Sequence, residues 1–128
     1  MIFADAVTRI GIAVAMAVSG VSHAYLYIHG YQHIPTIGAA FVLQASVSFA
    51  VAVLILIGGP GWLRWAAAMV AGGALVAFVL SRTVGLLGFS ERGWQPSPHA
   101  AGSVVAELLT VGLWVAYLVG RRRAGARG

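Results

Sequence analysis

The run Ala100-Ala-Gly-Ser103-Val-Val-Ala-Glu107-Leu-Leu-Thr110-Val-Gly-Leu-Trp114-Val-Ala-Tyr-Leu-Val119 decides the fold. Its side chains are apolar or small almost throughout, and a helix of this length rises ~30 Å, the thickness of a bilayer's hydrocarbon core. Glu107 is the exception. An acidic side chain at the centre of a membrane helix costs roughly 2.5–3.5 kcal/mol on insertion scales. The remaining helices are therefore expected to turn it away from lipid and to supply a partner or a proton. Ser103, Thr110 and Trp114 stand at i−4, i+3 and i+7 from Glu107, so one stripe of this helix should face inward.

Outward from this run the same composition continues. The 128 residues are 60% hydrophobic and 9% charged, with a mean hydropathy of +0.91. A soluble domain needs a polar exterior that so few charges cannot supply. The chain has no cysteine, which excludes disulfides, thiolate catalysis and cysteine metal sites. Every basic residue apart from histidine is arginine, which with the Ala, Gly and Val load points to a GC-rich bacterial genome. Much of the net charge of +5 comes from Arg121, Arg122, Arg123 and Arg127. A basic tail (121–128) after an apolar helix anchors at an anionic membrane surface, and nucleic-acid binding is not expected.

Four apolar segments can be marked off, at about 6–28, 36–57, 62–82 and 99–120. Each is long enough to span a bilayer, and none alternates as transmembrane strands do. The expected fold is an all-α integral membrane four-helix bundle forming a single domain. In the first helix Asp5 and Arg9 form an i, i+4 pair, and Gly11, Ala15 and Ser19 recur at the four-residue spacing that lets backbones approach closely. Ala68 with Gly72, and Gly73 with Ala77, read the same way in the third. His23 continues the first row. Ser22-His23-Ala24 has the small residues at which a leader is cut, but Asp5 and the apolar continuation through Ile28 argue against cleavage. Gly30 should end the first helix, and Pro35 suits the first turn of the second. Gln44 and Ser48 lie one turn apart in the second helix, with Phe41 on their side. Gln44 is expected to hydrogen-bond a neighbouring helix. Gly58-Gly-Pro-Gly61 is a tight turn, after which Trp62 and Trp65 flank Arg64 as an interface cluster. The long connection from Thr83 to Pro98 opens with Val84-Gly-Leu-Leu-Gly-Phe89, expected to lie on the membrane or fold back over the bundle.

With four spans both termini share a side. That side carries Arg9, Arg64 and the four tail arginines, against Arg82 and Arg92 on the other, so the positive-inside rule puts N- and C-termini in the cytoplasm of a bacterial inner membrane. His23 then lies ~7 Å below the outer end of its helix and Gln44 and Glu107 ~12 Å below theirs. Arg82, near the surface, is long enough to reach down to Glu107. These four define an expected polar cluster opening to the outer leaflet, with Phe41, Trp94 or Trp114 flanking it.

Three functions fit. A pocket of His23, Gln44, Arg82 and Glu107 suits a small molecule or redox partner such as a quinone headgroup, bound without chemistry of the protein's own. His29 and His33, at i, i+4 if helical, could hold a metal with His99. Haem b needs two facing histidines at one depth, and only His23 is clearly inside. The third reading is an accessory subunit docked to a larger membrane complex, or a homo-oligomer, through its small-residue faces and loops.

Thr8-Arg9-Ile-Gly-Ile-Ala-Val-Ala-Met-Ala-Val-Ser-Gly20-Val-Ser-His23 resembles the opening of DoxX-like membrane proteins. Arg9, Gly20 and His23 match that family's early Arg, its Gly and its following basic residue, usually Lys. The resemblance implies a four-helix membrane fold and association with redox complexes such as thiosulfate:quinone oxidoreductase. Gly85-Leu-Leu-Gly-Phe-Ser-Glu91, followed by Glu107, is also similar to small membrane proteins of GC-rich bacteria that have no known activity.

Overall fold

The structure, a computed structural model, describes residues 2–128. Four helices make up nearly all of it: α1 (Ile2–Ile28), α2 (Ile37–Leu56), α3 (Trp62–Arg82) and α4 (His99–Gly125). A single 3-10 turn, Tyr31–His33, sits between α1 and α2. All four α-helices are long and apolar enough to cross a membrane, so the chain is an all-helical, multi-pass membrane protein.

The helices form a four-cornered bundle. Helix α1 packs along α2 and α4, α3 closes the ring against the same two, and α1 and α3 touch only across the centre. Packing rather than hydrophobic expulsion must hold such helices together, because lipid tails are as apolar as leucine. The small residues of α1 serve that purpose. A methyl at Gly11 would run into the Leu113 side chain of α4, and one at Gly20 would meet the Phe49 ring of α2. The matching expectation for α3 does not hold. A Cβ at Gly72 or Gly73 would meet nothing within 4 Å, so those glycines border open space instead of a neighbouring backbone.

One end of the bundle holds the chain termini and the 57–61 turn, and is called the terminal end. The other holds the 29–36 and 83–98 connections, and is called the loop end. At the terminal end Gly58 adopts a left-handed conformation (φ 87°), and Gly59 N–H donates to the Leu54 carbonyl at 2.9 Å. This glycine cap closes α2 and turns the chain directly into α3. The core of this half is apolar: Ile12, Ala13 and Met16 meet Val51, Ala52, Ile55, Leu63 and Ala67, with Leu113 and Trp114 against them.

Helix α1 starts before residue 6 because Asp5 is neutralised on both sides. Arg9 lies 3.1 Å from one carboxylate oxygen and Arg64 2.7 Å from the other. Arg64 is therefore no interfacial residue between tryptophans. It is 6% exposed, with its guanidinium 4.3 Å from the centre of the Tyr117 ring. Helix α4 outruns its apolar segment because arginine is a good helix former and needs no lipid cover outside the core.

Candidate functional site

Glu107 is 2% exposed, and the residues that bury it come from two helices. Ser103, one turn earlier on α4, donates its hydroxyl to Glu107 Oε1 at 2.6 Å. Ser19 of α1 donates to the same oxygen at 3.1 Å. Oε1 is thus engaged twice, while Oε2 accepts no hydrogen bond among the described residues. A proton on this carboxyl would sit on Oε2. The inward stripe of α4 holds as expected, with Ser103 and Thr110 buried and Trp114 half-buried.

His23 lies one turn beyond Ser19. Its Nδ1 is 2.8 Å from the Ser19 carbonyl, an atom that only accepts, so Nδ1 carries the hydrogen. In the neutral ring Nε2 is then a bare acceptor. It points toward Glu107 but stands 3.9 Å from Oε1, too far for a hydrogen bond. The Phe41 ring of α2 covers the imidazole at 5.0 Å between centroids.

These groups line a cavity of about 190 Å³ inside the loop half of the bundle. His23, Gln44, Arg82 and Glu107 all contribute to its wall. The rest of the wall is mainly apolar: Phe41 and Ile37 from α2, Phe78 and alanines from α3, and Leu86, Phe89 and Pro96 from the long connection. Trp94 and Trp114 do not flank it. Trp94 stacks on the outside of Phe78, and Trp114 packs edge-on against Trp65 toward the terminal end.

Two expectations are corrected here. Gln44 makes no side-chain hydrogen bond among the described residues and stands half-buried in the cavity wall. Arg82 does not reach down to Glu107. As the last residue of α3 it finds closer acceptors: Nε donates to the Gly93 carbonyl at 3.2 Å, Nη1 to the Ser81 hydroxyl at 2.6 Å, and Nη2 to the Gln95 carbonyl. Bonding there spares the guanidinium the loss of its hydration that extension into an apolar cavity would require.

The 83–98 connection folds back over the bundle. Leu86 and Phe89 exchange two backbone hydrogen bonds, 2.7 and 2.8 Å, around Leu87 and Gly88 in left-handed conformations. This tight turn drives the Leu86 and Phe89 side chains into the roof of the cavity. Glu91 N–H then ties the connection to the Ser81 carbonyl at 2.9 Å. Tyr31, from the other connection, donates its hydroxyl to Glu91 Oε1 at 2.7 Å and sets its ring edge-on to Phe41 and Phe89. Burial, and then this hydrogen bond, holds the Tyr31 proton well above the ordinary phenol range. Tyr31, Phe89, Glu91 and the hydroxyl of Ser19 are the site residues that sequence reasoning missed.

The other histidines do not join the cluster. His29 and His99 both stack on the ring of Tyr25, each at 3.9 Å between centroids, and His29 Nδ1 donates to the Tyr25 carbonyl. His33 lies in the 3-10 turn. Among the described residues no three His, Asp or Glu side chains are grouped to hold a metal ion. Set against family models, curated proteins and solved structures, the chain matches none.

Proposed function

We propose that this protein is a small-molecule-binding protein of the bacterial cytoplasmic membrane, with both termini in the cytoplasm and its cavity in the outer-leaflet half. The occupant that fits best is a single oxygenated ring of the quinone or quinol type. One observation carries the reading: His23, Gln44 and Glu107 line the same mainly apolar cavity, and His23 Nε2, the Gln44 amide and Glu107 Oε2 make no hydrogen bond among the described residues. Polar groups in a membrane interior are costly to leave unpaired, so a site lined with three of them suits a ligand with matching donors and acceptors. Nε2 accepts from a ring hydroxyl, the Gln44 amide donates to a ring carbonyl, and the carboxyl can accept from a second ring hydroxyl. Size agrees, since an apolar cavity of about 150 Å³ takes up benzene, and the one here is about 190 Å³. The likeness of α1 to DoxX-like proteins points the same way, toward a redox-associated membrane role.

The test is saturable binding of a methylated benzoquinol to the protein in lipid nanodiscs, read by quenching of its tryptophan fluorescence. Binding that is lost in Glu107→Gln, with the fold retained by circular dichroism, supports the reading. No saturable binding refutes it, and a stoichiometric protein partner retained in mild detergent would favour the accessory-subunit role instead. Because the chain has no cysteine, a lone cysteine placed at Arg127 reports the topology. It should react with a membrane-impermeant maleimide only after the cells are opened.

A further inference from the structure

The cavity has a roof, three well-packed sides and one loose side. The roof is the 83–98 connection, held by the Tyr31–Glu91 and Glu91–Ser81 hydrogen bonds and by the bonds from Arg82 to the Gly93 and Gln95 carbonyls. Leu86, Phe89 and Pro96 set apolar side chains into that end of the cavity. Helix α1 packs closely along both its neighbours, and α4 closes on α3. Helices α2 and α3 are the loosest adjacent pair. They are joined by the 57–61 turn at the terminal end, and toward the loop end residues of both line the cavity, together with residues of α1 and α4.

On that side the wall residues are small. Ala40 of α2 and Gly73 of α3 line the cavity and are also exposed on the outer surface of the bundle, with Ala74 and Ala77 behind them. A Cβ built on Gly73 meets nothing within 4 Å. The helix start lies ~5 Å from Ala40 and the helix end ~14 Å from Gly73, at 1.5 Å per residue. That band falls within the outer half of a ~30 Å hydrocarbon core, at the depth of acyl chains.

We infer that the mouth of the cavity is this gap between α2 and α3, and that its ligand is an amphiphile drawn sideways from the bilayer. The polar ring lies against His23, Gln44 and Glu107, and an apolar tail leaves past Ala40 and Gly73 into the lipid. This rests on the binding reading above and adds the substrate class: tailed, membrane-dissolved ring compounds in place of water-borne ones.

The experiment uses two probes in nanodiscs, a methylated benzoquinol without a tail and the same ring bearing a decyl tail. It compares the unmodified protein with Gly73→Leu and Ala40→Leu, which narrow the mouth. Both variants should fold, since Gly73 borders open space and Ala40 is exposed, and Gly72→Leu serves as a control one position off the wall. The expected result is a loss of about tenfold or more in affinity for the tailed probe, a clearly smaller loss for the tailless one, and no effect of the control. Loss of both probes equally, or of neither, overturns the lateral route and leaves the binding reading standing. Saturable binding of neither probe by the unmodified protein overturns the binding reading, and the lateral route with it.

Discussion

The two ends of this bundle bury polar side chains in opposite ways. At the terminal end Arg64 is enclosed by Asp5 and Tyr117, with Arg9 on the far carboxylate oxygen and the Arg64 Nε buried without a partner among the described residues, above an apolar core of Ile12, Met16, Ile55 and Leu63. At the loop end Glu107 is held through one oxygen by two serines. Its other oxygen, the His23 Nε2 and the Gln44 amide make no hydrogen bond among the described residues, and all three residues line a hollow. Charges that close on one another fasten helices. Polar groups that converge on space without closing are arranged for something else to complete them. The contrast distinguishes the two clusters more sharply than burial does, because both Arg64 and Glu107 are almost fully enclosed, and it is the basis on which a ligand is proposed for the second.

The largest expected effect tests the fastening end. Asp5→Asn leaves the Arg64 guanidinium buried without a countercharge, which costs about 2–4 kcal/mol once discounted for the partial exposure of Asp5. Thermal unfolding in detergent should show the loss, while protein that remains folded should bind the quinol probe as before. A comparable loss of binding would mean that the two ends are not separable.

Next comes Gly38. A methyl there would sit 2.6 Å from the Tyr31 carbonyl oxygen, a backbone atom that cannot rotate away. Gly38→Ala should therefore displace the 3-10 turn and loosen the roof, at about 1–3 kcal/mol. Faster hydrogen exchange confined to the 31–38 and 86–91 amides would report it, and uniform exchange changes would contradict it.

Glu107→Gln follows. Glutamine keeps an oxygen for Ser19 and Ser103, so stability should shift by less than about 1 kcal/mol, while affinity for the probe falls about tenfold, the equivalent of ~1.4 kcal/mol. A collapse in stability with unchanged affinity would return Glu107 to a helix-orienting role.

The smallest effect belongs to Tyr31→Phe, which removes one hydrogen bond worth about 0.5–1.5 kcal/mol. Because the folded protein holds the phenol above its ordinary value of 10.0, that bond contributes fully at neutral pH. Its contribution is lost as the pH climbs from that value toward the raised folded one, and because burial is the first cause of the shift the parent should fall below the variant in strong alkali.

Much of this was legible in the chain. Span lengths and the 57–61 turn follow from apolar run length and from Gly and Pro, and the inward stripe at Glu107 from helical spacing. What escaped depends on partners far apart in sequence. Arg64 looks interfacial between Trp62 and Trp65 until α1 brings Asp5 to it, and Tyr31 shows no link to Glu91, 60 positions further along the chain. Arg82 was drawn to Glu107 by charge, but carbonyls of an irregular connection carry no sequence signal. Gly72 and Gly73 have the spacing of a packing face. Only the placement of α2 shows that the space beside them is empty.

Gln44 offers the most direct test of the whole account, because in the ligand-free protein its amide has no partner to lose. The measurement is the melting temperature and the quinol affinity of Gln44→Leu, determined on one nanodisc preparation. The account predicts a melting temperature that is unchanged or higher, together with an affinity about tenfold lower. A lower melting temperature with affinity intact would show that Gln44 fastens helices, and that the hollow beside it is not a binding site.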